Sequence, residues 1–222
     1  MKIYKDIIQG TPEWLDIRYG KIGGSSAEDL NANEGKSVRD NAIYDEILSC
    51  KFEENEYEEQ RITPAMERGN TFEPYARAEF ERLYNVTVDQ IGWAELDNGM
   101  IGISPDGLIG DKRAIEIKCP SAATHMKYIR DNSLFIKKYV WQLTHYFLVL
   151  NVDSVTCISY RPENLDNPLL VFDVTLDTVV KVSAKKTCTI RELVAQSEAR
   201  CNELIECIKE DIEKYKKQTI EF

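Results

Sequence analysis

The stretch from Gly102 to Pro120, which reads GISPDGLIGDKRAIEIKCP, carries the residues best suited to chemistry in this sequence. Glu116 follows Asp106 by ten positions, and Lys118 stands two positions beyond Glu116. Two converging carboxylates form an oxygen site for a hard divalent cation such as Mg²⁺, which also accepts water and phosphate oxygens. A lysine beside them can hold or polarise a water molecule. The group is therefore suited to metal-assisted hydrolysis of a phosphodiester, and an exposed hairpin with an ordinary Glu–Lys pair is the alternative.

A β-hairpin is expected to position these side chains. Met100 to Ile103 and Ala114 to Lys118 are Ile-rich runs typical of strands, and the residues from Gly110 to Arg113 supply turn chemistry. Side chains alternate along a strand, so Glu116 and Lys118 share one face of the second strand. The pattern predicts that this face lies across the sheet from the carboxylate of Asp106, which follows the first strand.

A second group of residues near the N-terminus could bind an anion. Thr11 and Pro12 begin a predicted helix that carries Arg18, and Gly20 ends it. The glycines that follow lead to Ser25 at the start of another helix, where free backbone N–H groups and a hydroxyl can bind phosphate. Arg18 could add a bidentate contact. A simple capped turn is the alternative, and this segment taken alone favours it.

Two further polar residues lie in helical segments. Glu73 stands just before Pro74 in a long predicted helix that Thr63 begins, and the proline is expected to kink that helix or to mark a new start. Gln142 interrupts the apolar run from Lys138 to Leu150, which predicts a buried helix. A buried amide needs partners. A catalytic carboxylate or a site water would serve for Gln142, and a satisfied core amide is the alternative; for Glu73 the alternative is a surface glutamate.

The remaining elements frame this region. Val86 to Leu96, Ser154 to Tyr160 and Leu169 to Leu176 have the apolar or alternating pattern of strands. Thr189 and Glu192 form a capping box that begins a long helix, which is expected to end near Lys217. The sequence therefore predicts strands and helices of a mixed α/β protein.

Composition limits the class of protein. The chain has 222 residues, 43% of them hydrophobic and 30% charged, which is the balance of a soluble globular protein. No run approaches the ~20 apolar residues of a membrane span, and the first ten residues have no signal-peptide core, so we expect a cytoplasmic protein with no membrane partner. The six cysteines include no C-x-x-C pair, which favours buried thiols over a zinc site or disulfides.

The net charge of −10 argues against a nucleic-acid partner, but the charge is unevenly distributed. From Lys112 to Lys138 there are seven basic residues and two acidic ones, which gives this segment a local charge of +5. Acidic residues concentrate elsewhere, in a predicted solvated loop. The members of this acidic loop are Glu53, Glu54, Glu56, Glu58 and Glu59. An acidic protein with one basic furrow remains compatible with DNA.

Five motifs in order resemble those of one known family. They are GTPEWLDIRYGKIGGS (Gly10 to Ser25), RGNTFEP (Arg68 to Pro74), SPDG (Ser104 to Gly107), EIKCP (Glu116 to Pro120) and YVWQL (Tyr139 to Leu143). The chain resembles the lambda-exonuclease-like, or YqaJ-type, phage recombinase nucleases of the PD-(D/E)XK superfamily. The resemblance implies a mixed α/β (α+β) fold with a restriction-endonuclease-like core, in which a central mixed β-sheet is flanked by helices and followed by a long C-terminal helix.

The resemblance also implies a role for each candidate residue. Asp106 and Glu116 would bind Mg²⁺, or Mn²⁺ in its place, together with the backbone carbonyl of Ile117, while Lys118 would orient the attacking water. Glu73 would complete the acidic cluster and contact a second metal through water. Gln142 would help to hold the site. The remaining residues would bind the 5′-phosphate of a DNA end, namely Arg18, Ser25 and Ser104.

The implied activity is 5′→3′ degradation of one strand of duplex DNA at its ends. Mononucleotides would be released, and the 3′ single strand would pass to a phage single-strand annealing protein for recombination. The implied assembly is a ring-shaped homo-oligomer, with a trimer favoured. We expect a single nuclease domain over residues 1–222, with a helical part (1–85), a catalytic sheet core (86–176) and a C-terminal helix (189–217). A restriction-like endonuclease or nickase, and a catalytically silent DNA-binding module, are the alternatives.

Overall fold

The structure is a computed structural model that describes residues 1–31, 35–55, 62–183 and 186–218. The predicted acidic loop falls partly outside these residues, because Glu56, Glu58 and Glu59 are not among them. The helices within this part of the chain are α1 (Pro12–Arg18), α2 (Ala27–Asn31), α3 (Ala42–Ser49), α4 (Pro64–Tyr84), α5 (Ala122–Arg130), α6 (Ser133–Leu150) and α7 (Ile190–Gln218). The strands there are β1 (Lys2–Tyr4), β2 (Trp93–Glu95), β3 (Gly102–Ile103), β4 (Gly107–Ile109), β5 (Arg113–Lys118), β6 (Ser154–Tyr160), β7 (Leu169–Thr175), β8 (Val179–Lys181) and β9 (Thr187–Thr189).

The central sheet has the strand order β4-β5-β6-β7. Its outer pairs are antiparallel, and the inner pair of β5 and β6 is parallel. Parallel neighbours need a long crossover, which α5 and α6 provide. The four residues from Ala114 to Ile117 in β5 are buried, as expected for an inner strand covered on both faces. The mixed α/β fold predicted from the sequence is confirmed.

The predicted hairpin forms, but the prediction of its first strand was wrong. β5 pairs with Gly107–Ile109, whereas Gly102–Ile103 pairs with β2 in a separate sheet of order β1-β2-β3. The loop between Ile109 and Arg113 has only three residues, and Gly110 adopts a positive φ of 58° in it. So short a loop pairs β5 with the residues immediately before it. Asp106 is consequently the residue immediately before the first strand of the hairpin, β4.

The region between α4 and β3 differs from the predicted long strand. Val86 to Leu96 was expected to form one strand, but only Trp93–Glu95 does so, and Asp89 makes an isolated bridge to Leu108. Apolar residues of this segment are nevertheless buried, and Trp93 has only 1% of its surface exposed. A glycine is required at position 107 because a Cβ atom there would lie 2.2 Å from Val88 Cγ1. Packing therefore holds this segment against the hairpin without a continuous strand ladder.

Helix α4 continues through Pro74 to Tyr84, and its C-cap Asn85 adopts the left-handed conformation. Of the two outcomes expected at Pro74, a kink or a new helix start, the new start does not occur. Ala76 and Phe80, both beyond the proline, are fully buried. Burial of these side chains offsets the one backbone hydrogen bond that the proline removes.

The long C-terminal helix is confirmed, and it begins at the predicted capping box. Glu192 Oε2 accepts a hydrogen bond from the Thr189 backbone N–H at 2.7 Å, and the Glu192 N–H donates to Thr189 Oγ1 at 3.3 Å. The helix α7 packs one buried stripe on the core beside α6, and that stripe comprises Leu193, Ser197, Cys201, Leu204 and Ile208. None of the helices in the described ranges is long and apolar enough to cross a membrane.

Burial of His145 in α6 is expected to make the protein sensitive to acid. The side chain is fully buried with Nε2 3.0 Å from the Gly102 carbonyl oxygen, and burial lowers the pKa of His145 from 6.5 to about 4. The unfolded chain binds this proton below pH 6.5 and the folded chain only below about 4. We therefore expect His145 to reduce the free energy of unfolding as pH falls through this window, by at most about 3 kcal/mol.

The test is denaturant unfolding of the parent and of His145→Gln at about pH 7.5 and about pH 5. Glutamine keeps a donor for the Gly102 carbonyl but does not titrate. The parent is expected to lose more stability between the two pH values than the variant does. Equal losses would show that another group causes the acid sensitivity.

Candidate active site

The two carboxylates predicted to bind metal meet at one end of the β4–β5 hairpin. Glu116 lies in the inner strand β5 and is fully buried, while Asp106 directly precedes β4. Asp106 Oδ2 accepts a hydrogen bond from the Ile117 backbone N–H at 2.6 Å. This bond holds Asp106 against the strand that carries Glu116, so the structure brings the predicted pair together.

Glu116 is surrounded by donors from two elements. The Tyr146 hydroxyl lies 2.6 Å from Glu116 Oε2, and the Gln142 Nε2 amide donates to the same oxygen at 3.1 Å. The Lys118 ammonium forms an ion pair with the other carboxylate oxygen. Gln142 thus contacts the candidate metal-binding carboxylate, which is one of the two interpretations that its sequence position left open.

Lys118 remains protonated in this environment. Burial by itself would lower the pKa of Lys118, but the charges of Glu116 and Asp106 outweigh that effect and raise it above the ordinary value. The ammonium also lies 5.0 Å from the centroid of the Tyr139 ring, where α6 departs from helical geometry with φ −111° and ψ 17°. A protonated lysine can donate hydrogen bonds to a water or a phosphate oxygen, but it cannot act as a base.

Ionisation of Asp106 and Glu73 is unfavourable in this site when no metal ion is bound. Burial and the charges of Glu116 and Glu73 raise the pKa of Asp106 well above its usual range. Burial also raises the pKa of Glu73, although the nearby Arg77 opposes this effect. Arg77 Nη2 donates to Glu73 Oε1 at 2.5 Å, and Arg77 Nε donates to the Asp106 carbonyl oxygen at 3.2 Å. Glu73 is therefore close to the carboxylate pair but is held by an arginine.

The donor set fits a magnesium ion. Within residues 1–31, 35–55, 62–183 and 186–218, no group of three or more His, Cys, Asp or Glu side chains forms a metal cluster. Mg²⁺ does not need such a cluster, because it is usually bound by one or two carboxylates and keeps several waters. The buried Glu116 and the half-buried Asp106 repel each other, supply hard oxygen ligands and gain from a neighbouring cation.

Sequence reasoning missed two residues that contact this site, Arg77 and Tyr146. Arg77 lies four positions after Glu73 on α4, and Tyr146 lies four positions after Gln142 on α6. Residues at that spacing share a helix face. A search for polar residues one turn from each candidate would have found both.

Arg18 and Ser25, predicted to bind phosphate, are adjacent. Arg18 Nη2 lies 3.5 Å from Ser25 Oγ. The guanidinium carbon lies 3.9 Å from the Trp14 ring centroid and 5.9 Å from that of Trp93. These rings hold the guanidinium by cation–π contact, and burial lowers the pKa of Arg18 without neutralising it.

Ser104 is joined to this group only indirectly. Its hydroxyl donates to the Gly92 carbonyl oxygen at 2.8 Å and accepts a hydrogen bond from Trp14 Nε1 at 2.7 Å. Trp14 therefore lies between Arg18 and Ser104. A phosphate would compete with a backbone carbonyl for the serine proton, and the role of Ser104 in phosphate binding stays a prediction.

A small cavity of about 50 Å³ lies between the glycine-rich segment at Ser25 and helix α6. Its lining comprises Gly24, Ser25, Glu28, Lys138, Tyr139, Trp141 and Gln142. Ser25 and Gln142 therefore face one space, which connects the candidate phosphate contact with the candidate metal site.

Comparison with known proteins agrees with this geometry. Residues 13–153 match the family described as YqaJ-like viral recombinase domain. A search of curated protein sequences found no significant match. Among solved structures, the chain is similar to an alkaline exonuclease, LHK-Exo, from Laribacter hongkongensis, with a TM-score of 0.76 and 24% identity over 95% of this chain and 98% of that one.

Two other structures share this fold. The complex of LHK-Exo with dAMP matches with a TM-score of 0.76 and 23% identity, over 95% of this chain and 98% of that one. A phage-related exonuclease from Haemophilus somnus 129PT matches with a TM-score of 0.61 and 12% identity, over 88% of this chain and 96% of that one. At these identities the likeness shows the fold.

Proposed function

The chain belongs to the family of YqaJ-like viral recombinase domains, and we propose that it is a Mg²⁺-dependent exonuclease that digests one strand of duplex DNA from its 5′ end. Hydrolysis releases mononucleotides and leaves 3′ single-stranded overhangs for recombination by strand annealing. The observation that carries the proposal is the ion pair of Glu116 and Lys118 with Asp106 bonded to the neighbouring Ile117 N–H, beside a small cavity lined by Ser25 and Gln142.

Asp106 and Glu116, with the Ile117 carbonyl, would hold the ion, and Glu73 would act through water. Bound Mg²⁺ lowers the pKa of a water and neutralises charge that develops on the phosphate. Lys118 donates a hydrogen bond to the attacking water and orients it toward the phosphorus atom. Gln142 and Tyr146 hold the Glu116 carboxylate in one orientation by donating to Oε2. A fixed carboxylate keeps the reacting groups aligned without reorganisation during the reaction.

The end-phosphate group sets where the strand is cut. An enzyme that removes one nucleotide at a time must hold the chain end at a fixed distance from the reacting phosphate. Arg18, Ser25 and Ser104 supply a guanidinium and hydroxyls for this purpose, and Trp14 connects the arginine with Ser104. The basic charge between Lys112 and Lys138 attracts the duplex backbone without reading bases.

The proposed setting is the cytoplasm of a bacterial or phage-infected cell, where linear DNA ends are available. The 3′ strand that digestion exposes is a substrate for a single-strand annealing protein, which we propose as the partner. A ring of identical subunits, with a trimer favoured, would enclose the duplex and keep the nuclease on its substrate. Sedimentation analysis tests the assembly separately from the activity.

Digestion of linear duplex carrying 5′-phosphates, compared with closed circular plasmid in Mg²⁺, tests the proposed function. We expect the linear duplex to be converted to mononucleotides and the circle to remain intact. Removal of the metal with EDTA should stop the reaction, and Mn²⁺ should restore it. Efficient cutting of the circle would indicate an endonuclease or nickase, and binding without hydrolysis would indicate a silent DNA-binding module.

Arg18→Gln is expected to reduce the preference for phosphorylated ends. The variant loses the charged contact to the end phosphate, and such a contact contributes about 1.5–3 kcal/mol, equivalent to about a 10- to 100-fold preference. Initial rates on 5′-phosphate and 5′-hydroxyl duplexes measure the ratio for parent and variant. The control is Arg39→Gln, which removes an exposed arginine that pairs with Glu210 of helix α7. A parent protein that cuts both ends at equal rates would contradict the assignment.

A further inference from the structure

A cavity with a basic lining lies between α5 and α6. Its volume is about 420 Å³, and three of its six lining residues are cationic, namely Lys127, Arg130 and Lys138. The remaining lining residues are Thr124, Tyr128 and Leu134. Lys127 and Arg130 lie in the last turns of α5, and Lys138 lies across from them in α6. The cavity is large enough for a phosphate group with part of its sugar.

The three lining cations differ from two other basic residues of the segment, which have acidic partners. Lys118 pairs with Glu116, and Arg113 donates to Asp173 at 3.0 Å. In the part of the chain that the structure describes, no Asp or Glu lies within ion-pair distance of a lining cation. The nearest acid in sequence, Asp131, accepts a backbone N–H at the start of α6. Positive charge is thus left unneutralised in a protein of net charge −10.

One lining cation of this cavity lies near the same aromatic ring as the candidate catalytic lysine. The Lys138 ammonium lies 5.1 Å from the Tyr139 ring centroid, and the Lys118 ammonium lies 5.0 Å from the same centroid. Lys138 also lines the small cavity that contains Ser25 and Gln142. The basic cavity and the small cavity beside the candidate site therefore share one lining residue, Lys138.

We propose that this cavity binds a backbone phosphate of the DNA at a position other than the chain end. The inference rests on the proposed function and adds a second phosphate contact to the one proposed for Arg18. Lysine and arginine charges bind phosphate without regard to base sequence, as digestion of any sequence requires. With the strand held at two phosphates, the reacting phosphate stays aligned as the enzyme advances.

The test is the affinity of the protein for a 5′-phosphorylated duplex of about 20 base pairs, measured in EDTA over about 50–200 mM salt. For Lys127→Gln/Arg130→Gln we expect binding at least about 10-fold weaker at low salt and a slope of log K against log salt that is shallower by about 2. Lys209→Gln removes an exposed lysine of α7 that lies outside the basic segment from Lys112 to Lys138, and we expect its affinity to stay within about twofold of the parent.

Unchanged affinity and salt slope in the double variant would overturn the inference. The same holds if the variant weakens inhibition by a deoxynucleoside 5′-monophosphate but leaves duplex affinity unchanged, because the cavity would then bind free nucleotides. If the parent protein has no nuclease activity but the double variant binds duplex more weakly than the parent, the cavity assignment stands and the proposed function is refuted. An active nuclease whose double variant binds duplex like the parent would refute the cavity assignment alone.

Discussion

Asp106→Asn is expected to lower the rate of DNA hydrolysis by at least about 10³-fold, because the variant loses one of the two carboxylates that would bind the metal and stabilise the reacting phosphate. Asparagine keeps an oxygen acceptor for the Ile117 N–H, so the backbone arrangement at the hairpin is retained. The measurement is the initial rate of mononucleotide release from linear duplex in Mg²⁺. Asp111→Asn, at an exposed aspartate in the turn of the same hairpin, is the matched control.

Asp106→Asn is also expected to change stability, in the direction opposite to its effect on activity. Burial and the charges of Glu116 and Glu73 raise the pKa of Asp106, so an ionised Asp106 opposes folding when no cation is bound. We expect the thermal midpoint of Asp106→Asn in EDTA to equal or exceed that of the parent. Addition of Mg²⁺ should raise the midpoint of the parent and leave that of the variant nearly unchanged. A variant that is inactive because it is unfolded would show a lower midpoint, and full activity would refute the metal assignment.

Lys118→Met is expected to reduce hydrolysis by about 10²- to 10⁴-fold, the range for loss of a group that positions a proton or a water in the transition state. Binding of duplex in EDTA should change little, because one charge among several contributes modestly to affinity. The comparison of rate with affinity therefore separates a catalytic from a binding role. Lys112→Met, at an exposed lysine in the hairpin turn, is the control.

Lys118→Met also leaves Glu116 buried without its cationic partner. Removal of one member of a buried ion pair costs about 3–5 kcal/mol, so we expect a clear loss of thermal stability. Lys118→Met/Glu116→Gln should regain much of that stability, because no unpaired charge remains, while activity stays absent. Equal instability of the single and double variants would contradict the ion-pair account, and near-parental activity of Lys118→Met would contradict the catalytic role.

The candidate site was largely predictable because its key residues are close in sequence. The alternation of side chains in β5 put Glu116 and Lys118 on one face, and their ion pair confirms that they meet. The short turn at Gly110 brought Asp106 to the same end of the hairpin. These relations depend only on backbone geometry over a few residues, which local residue types determine.

The wrong predictions concern pairing between distant segments. Met100 to Ile103 and Gly107 to Ile109 are both short apolar runs, and only the second is close enough for the three-residue loop that precedes β5. The first run pairs instead with β2, which lies several residues earlier in the chain. The contact of Tyr146 with Glu116 likewise joins residues 30 positions apart.

Local sequence therefore supplied the candidate chemical groups: two carboxylates and a lysine at fixed spacing, an arginine and a serine in a glycine-rich entry to a helix, and the caps that begin α1 and α7. The tertiary structure alone decided how these parts are held. It placed Trp14 between Arg18 and Ser104, joined Arg77 to Glu73, and left an unneutralised basic cavity beside Tyr139. Local residue types set local conformation, whereas contacts between distant segments follow from the packing of the whole core, which no short stretch of sequence contains.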